Sequence, residues 1–202
     1  MKIILLAAGM GTRLQPLTNT TPKCLIDIQG KPLLAHWLGN IEKHGITEVL
    51  INTSYLSEKV VAFVDHYNKE NLDITLVHED NLLGTAGTIE HNTEFIANSV
   101  FICAHADNLS NFDITAFIQA HQQRENMCDM TMLTFLTDQP EQSGIVEIDE
   151  KGIVQAFHEK ISNPPGNLAN GAVYIFEPEI VNTIKALPLG LKDLSTQVIP
   201  NY

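Results

Sequence analysis

A chain of 202 residues has the length of one globular domain, and 44% hydrophobic with 18% charged residues is the composition of a folded protein rather than a disordered one. At this size roughly 70% of the unfolded surface is buried on folding, so no disulfide or metal staple is required. The net charge of −12 argues against nucleic acid and anionic membrane surfaces as partners, and the apolar run at 3–9 is too short for a membrane span or signal h-region.

In chain order, strands and helices alternate. Residues 3–7 form a continuous apolar run ending in glycines, the pattern of a strand buried on both faces. Apolar residues at helical spacing over 32–44 stop at Gly45. A second strand is predicted at 48–53, followed by a helix at 57–67 with Ser57 as N-cap and Leu56 and Val60 at staple spacing. Then come a strand at 74–78, a helix at 85–96 entered through Gly84, and a strand at 100–104 that ends on His105-Ala106-Asp107. The remainder is predicted as a helix at 114–123, a strand at 130–135 and a hairpin of 143–149 with 153–159. A strand at 172–176 and a short helix at 178–186 with Pro178 at its start follow. Asp193 is placed as the N-cap of 194–199. This alternation implies an α/β fold, a Rossmann-like three-layer sandwich with a mostly parallel sheet, and ligands of such sheets bind beyond the carboxyl ends of the strands. No repeat or long linker divides the chain, so residues 1–202 are read as one domain.

Charge is unevenly spread. Residues 1–41 carry Lys2, Arg13, Lys23 and Lys31 against a single acid, Asp27, while the other 161 residues carry 8 basic and 23 acidic side chains. A cationic segment on an acidic protein points to an anionic ligand. The loop Gly9-Met10-Gly11-Thr12-Arg13 follows the first strand but is no Walker P-loop, which needs GxxxxGK[ST]. A dinucleotide fingerprint needs a third glycine where Leu14 stands. What is left is a turn of small residues whose N–H groups can face an anion, with Arg13 adding bidentate recognition and Lys23 returning beside it. Cys24, Cys103 and Cys128 form neither a CxxC nor an even set, and are read as reduced thiols in a cytoplasmic protein. The eight histidines include no HExxH, so zinc is not expected; His105 and Ser143 are given structural roles.

The run from Leu6 to Leu25, LAAGMGTRLQPLTNTTPKCL, resembles the signature of the sugar-1-phosphate nucleotidyltransferases, the nucleotide-sugar pyrophosphorylases. The resemblance extends over the chain: Asn81-Leu82-Leu83-Gly84-Thr85-Ala86-Gly87 is similar to the family's base-contacting loop. Ala106-Asp107-Asn108-Leu109 resembles its GDxL metal segment, Ser143-Gly144 and Glu159-Lys160 its sugar-side segments, and Asn170-Gly171 its NxG segment. Most similar are the small guanylyl- and uridylyltransferases acting on mannose, heptose or amino-sugar phosphates. The resemblance implies a GT-A-like fold and Mg²⁺-dependent transfer of a nucleotidyl group from an NTP to a sugar 1-phosphate, giving an NDP-sugar and pyrophosphate. GTP is the weakly favoured donor.

The same resemblance assigns Leu6, Ala8, Gly9, Gly11, Thr12, Asn81, Gly84 and Thr85 to the nucleotide. Arg13, Lys23 and Lys160 become catalytic cations, Gly144, Glu159 and Asn170 contact the sugar phosphate, and Asp107 binds the metal. The family's D-x-G-T-P-like segment, which carries a second metal carboxylate, has no counterpart before Tyr202. Either the chain lacks that C-terminal segment or the metal site is completed otherwise; if the carboxylate is absent, nucleotide binding with weakened turnover is expected. Two other functions fit the same residues: a non-catalytic nucleotide- or sugar-nucleotide-sensing domain, and a transferase for a non-sugar phosphate. A homo-oligomer is compatible with all three.

Overall fold

The computed structural model describes residues 1–67, 70–190 and 192–201. Its centre is an eight-stranded sheet in which β1 (Lys2–Leu6), β4 (Glu48–Thr53), β5 (Asp73–His78) and β6 (Phe101–His105) run parallel in the order β5-β4-β1-β6. A small separate ladder pairs β2 (Asp27–Ile28) with β3 (Lys31–Pro32). Beyond β6 the sheet turns antiparallel: β10 (Leu168–Phe176) pairs with β6, with β7 (Met130–Leu136) and with β8 (Gly144–Ile148), and β8 pairs with β9 (Val154–Glu159). The sheet is thus mixed, with the parallel strands in its amino-terminal half.

Successive residues of a strand face opposite sides, and here both sides are apolar. Ile3, Leu5, Val49, Ile51, Ile102 and Ala104 pack beneath α1 (Leu33–Lys43), α2 (Ser57–His66) and α5 (Ile114–Gln122). Ile4, Leu6, Leu50, Phe101 and Cys103 pack on the other face against α3 (Thr85–His91), α6 (Ile180–Lys185) and Leu194 and Val198. Three layers with a core on each side of the sheet result, as the alternation of elements implied.

Four local expectations change. The 85–96 helix is two helices, α3 and α4 (Thr93–Ile96), because Asn92 leaves helical geometry while its Nδ2 donates to Thr88 O at 2.8 Å. Such local side-chain-to-backbone bonding competes with helix propagation. Leu56, not Ser57, holds the cap position of α2, in a left-handed conformation with φ 51° and no side-chain cap. The last helix begins at Ile180, with Pro178 in the turn ahead of it. Finally β10 begins at Leu168, four residues earlier than the sequence indicated. The strand continues through Asn170-Gly171 by a bulge in which Ala172 takes φ 55°. Below that bulge β10 pairs β8, and above it β6, so the β8–β9 hairpin is swung beyond the end of the parallel half.

A candidate active site of two joined cavities

Register brings the chemistry-bearing loops together. Leu6 lies opposite Asn52 on one side and His105 on the other, and Ala106 N donates to Leu6 O at 3.0 Å. The loop after β1 and Asp107 after β6 therefore leave the sheet side by side. Thr53 lies opposite His78, so Glu79 emerges one strand further along the same edge.

Two cavities open along this edge. The smaller, about 320 Å³, is lined by Leu6, Ala7, Ala8 and Gly9 on the β1 side and by Glu79, Leu82, Gly84, Thr85 and Thr88 opposite. The larger, about 850 Å³, is lined among others by Arg13, Gly144, Glu159, Lys160 and Asn170. Lys23, His105 and Asp107 line both. At that junction Lys23 Nζ donates to Asp107 Oδ2 at 2.6 Å, both side chains only partly exposed.

The small cavity is held by a polar network that no local motif announced. Asn52 Oδ1 accepts from Ala7 N at 2.7 Å, fixing the turn after β1, and Asn52 Nδ2 donates to Glu79 Oε1 at 2.9 Å. Thr88 Oγ1 donates to the same Glu79 oxygen at 2.6 Å, and Leu83 N donates to Glu79 Oε2 at 3.2 Å. Glu79 is 4% exposed, so its carboxylate is buried only because three donors meet it. The loop 83–87 is clamped from the carboxy-terminal side: Lys192 N donates to Leu83 O, and Lys192 O accepts from Ala86 N at 3.0 Å. Thr85 Oγ1 donates to Asp193 Oδ2 at 3.0 Å and accepts from Leu194 N at 2.7 Å. Gly84 is obligatory here, with φ 82° and no room for a side chain, whose first carbon would lie 2.2 Å from Lys192 O.

His105 sits at the junction with Nε2 buried and without a partner among the described residues. Burial holds its pKa below the usual histidine value, outweighing the opposing pull of Asp107 and Asp193. Glu159 Oε1 accepts from Lys160 Nζ at 2.6 Å, and Lys160 adopts φ 50°, a conformation rare outside glycine. Asn170 faces the large cavity, but its amide is engaged within the chain: Oδ1 accepts from Ala172 N at 2.8 Å and Nδ2 donates to Tyr174 Oη at 2.7 Å. It holds the bulge open. Gly144 is needed for room, since a side-chain carbon there would lie 2.7 Å from Glu159 Oε2 and Phe157 Cζ.

Of the residues singled out in the sequence, Leu6, Ala8, Gly9, Gly84 and Thr85 line the small cavity. Arg13, Gly144, Glu159, Lys160 and Asn170 line the large one, while Lys23 and Asp107 line both. Gly11, Thr12 and Asn81 line neither. Gly11 instead packs against Thr18 and Lys23, accepting from Thr18 Oγ1 at 2.9 Å, and so sets the approach of Lys23. Asn52, Glu79 and Thr88 escaped notice; the signal of Asn52 and Glu79 was polarity at or just beyond a strand end, visible only once register is known, and Thr88 lies within α3. Asp193 does cap Leu194–Val198, accepting from Thr196 N at 3.0 Å, and it also lines the small cavity. Among the described residues no group of three His, Cys, Asp or Glu side chains could hold a metal alone. Asp107, at a strand terminus, fits a cation that takes most of its ligands from water and phosphate.

A nucleotidyl transferase family model matches residues 2–201. The chain belongs to the nucleotidyl transferase family. It is 30% identical over 197 residues to a probable mannose-1-phosphate guanylyltransferase 1 of Oryza sativa, covering 95% of this chain and 54% of the relative. To the mannose-1-phosphate guanylyltransferase of Mycobacterium tuberculosis it is 33% identical over 181 residues, covering 90% and 50%. The chain thus spans about half the length of the curated relatives it matches. In structure it is similar to HddC from Yersinia pseudotuberculosis complexed with GMP-PN, with TM-score 0.82, 26% identity, and coverage of 100% of this chain and 86% of that one. It is also similar to a putative glucose-1-phosphate thymidylyltransferase from Bacillus anthracis, with TM-score 0.85, 25% identity, and coverage of 94% and 76%. No helix among the described residues is long and apolar enough to cross a membrane.

Proposed function

We propose that the chain transfers a nucleotidyl group from an NTP, with GTP preferred, to a sugar 1-phosphate. The observation that carries this is the meeting of two cavities at one lysine–carboxylate pair. The nucleoside enters the smaller cavity and the sugar phosphate the larger. Their charged ends then converge where Lys23 stands, and a phosphate oxygen of the sugar attacks the α-phosphorus in line. As that bond forms, the bond from the α-phosphorus to the bridging β-phosphate oxygen breaks, and its electrons leave with pyrophosphate.

Bringing two polyanions together is mostly charge neutralisation and positioning. Lys23 releases Asp107 and turns its ammonium to the α-phosphate, where negative charge grows. Arg13 meets the phosphates at the rim of the large cavity, and Lys160, aligned by Glu159, neutralises the sugar phosphate. The N–H groups of the loop 9–13 complete the phosphate cradle. Mg²⁺ held by Asp107 would supply further positive charge to the triphosphate.

The preference for GTP is supported by the guanylyltransferases among the relatives, those of Oryza sativa and Mycobacterium tuberculosis. The three free thiols, two of them buried, support a reducing, cytoplasmic setting.

The test is pyrophosphate release with Mg²⁺, an NTP panel and a set of sugar 1-phosphates, with GTP binding measured in parallel. Lys23→Ala is expected to lower kcat by about 10²–10³ with far less effect on GTP affinity. Loss of affinity alone would identify a nucleotide sensor instead.

A further inference from the structure

Leu82, Gly84 and Thr85, which wall the small cavity, sit on one loop whose shape is set from outside it. Residues 192–194 lie across that loop as a strap. Lys192 N donates to Leu83 O, and Lys192 O accepts from Ala86 N at 3.0 Å and from Gly87 N at 3.4 Å. Asp193 Oδ2 and Leu194 N both engage Thr85 Oγ1. Gly84 passes so near that a side-chain carbon on it would lie 2.2 Å from Lys192 O, so a shift of the strap moves the loop.

The strap is pinned in turn by its own side chain. Lys192 is 4% exposed, and its ammonium donates to Glu90 Oε2 at 2.6 Å and to Ile184 O at 3.0 Å. Glu90 stands on α3, the helix that the loop enters at Thr85, and Ile184 stands on α6. A closed ring results: loop, α3, ion pair, strap, and back to the loop. Lys192 and Glu90 line neither cavity.

Taking a lysine out of water for one carboxylate gains little net stability, because desolvation offsets the attraction. An apolar side chain of similar length would fill the space between α3 and α6 without that cost. Apolar contact is non-directional, however, and would leave the height of the strap undefined. What the ion pair supplies is place rather than stability.

We infer that Lys192 and Glu90 are positioning residues for the nucleotide: their ion pair holds the strap, and through it the loop 83–87, in the shape that receives the nucleoside. The inference rests on the assignment of the small cavity to the nucleoside.

The test uses two variants of the 202-residue chain. Glu90→Gln keeps the shape of its side chain and removes the charge, and Lys192→Met keeps an unbranched apolar stem and removes the ammonium. The dissociation constant and stoichiometry for GTP with Mg²⁺ are measured by calorimetry, alongside Tm. The KM values for GTP and for mannose 1-phosphate, with kcat, are read from pyrophosphate release. If the unpinned loop keeps its clamped shape about one-tenth of the time, GTP binds about tenfold more weakly and its KM rises in step. The KM for mannose 1-phosphate and kcat at saturating GTP stay at their wild-type values. A role in folding alone would instead lower Tm or the binding stoichiometry and leave the dissociation constant of the folded fraction unchanged, which overturns the inference while the transferase reading stands. Should Lys192→Met not fold, Glu90→Gln decides by the same measurements. If the unsubstituted chain itself binds no NTP, the small cavity is misassigned and both readings fall together.

Discussion

The parallel and antiparallel halves of the sheet are built to different tolerances. In the parallel half, β1, β4 and β6 are buried along nearly their whole length, and the turn after β1 and the loop after β5 are tied together through Asn52, Glu79 and Thr88. In the antiparallel half β7 is only partly buried and ends in exposed Phe135 and Leu136, β9 has no fully buried residue, and β10 is broken by a bulge. In the proposed reaction the tied half meets the nucleotide, common to many reactions, and the less buried half meets the acceptor, particular to one.

That contrast is open to challenge by substitution. The largest stability effect is expected at Gly84→Ala, which combines positive φ with collision against the Lys192 carbonyl. Thermal unfolding should show a loss of about 3 kcal/mol or more, or roughly 6–12 °C in Tm, together with weakened NTP binding. Asn52→Leu should cost about 2 kcal/mol, since it strands the Ala7 N–H and removes a donor from buried Glu79. On the acceptor side, Phe135→Ser should move stability by less than about 0.5 kcal/mol. Comparable losses at Asn52 and Phe135 would erase the distinction between the halves.

Much of this organisation was legible in the residues themselves. Continuous apolar runs announced β1, β4 and β6, because strands buried on both faces need no alternation to be recognised. Gly9, Arg13 and Lys23 stood out because a cationic, glycine-rich turn is unusual on so acidic a chain, and Asp107 by its place just after a strand and its resemblance to the family's metal segment. Asn52 and Glu79 were silent, and Asp193 was legible only as an N-cap: each lies far in sequence from the others, and only β-register and a loop clamp 108 residues apart, Thr85 to Asp193, bring them to one cavity. The early start of β10 was hidden for a related reason. Asn170-Gly171 has turn composition, but the Asn170 amide bonds to Ala172 N and Tyr174 Oη, and these bonds carry the strand through the irregularity.

Chemical reactivity offers a finer probe. Burial pushes the Cys24 thiol up to about 12 and the Cys103 thiol higher still, while Cys128 is only half-buried. Alkylation of the native chain at neutral pH should therefore label Cys128 alone by mass spectrometry, with Cys24 and Cys103 reacting only on unfolding.

The smallest expected effect is in pH dependence, where α5 packs on β7. His121 Nδ1 bonds to Thr131 Oγ1 at 2.8 Å, and its Nε2 lies 3.4 Å from Glu177, which also pairs with Arg124. Burial first, and Arg124 second, lower its pKa against the opposing pull of Glu177. A histidine whose folded pKa is depressed is kept neutral by the fold, so its contribution is full above the unfolded value near 6.5 and is lost as pH falls below it. His121→Gln should flatten the acid side of the stability curve in that window, read by denaturant unfolding at successive pH values.

The junction of the two cavities is tested most directly by a crystal structure of the chain with Mg²⁺ and a non-hydrolysable GTP analogue. The expected density places guanine in the smaller cavity, the α-phosphate against Lys23 Nζ, and the Lys23–Asp107 pair parted. An analogue bound elsewhere, or a triphosphate that leaves that pair intact, would contradict it.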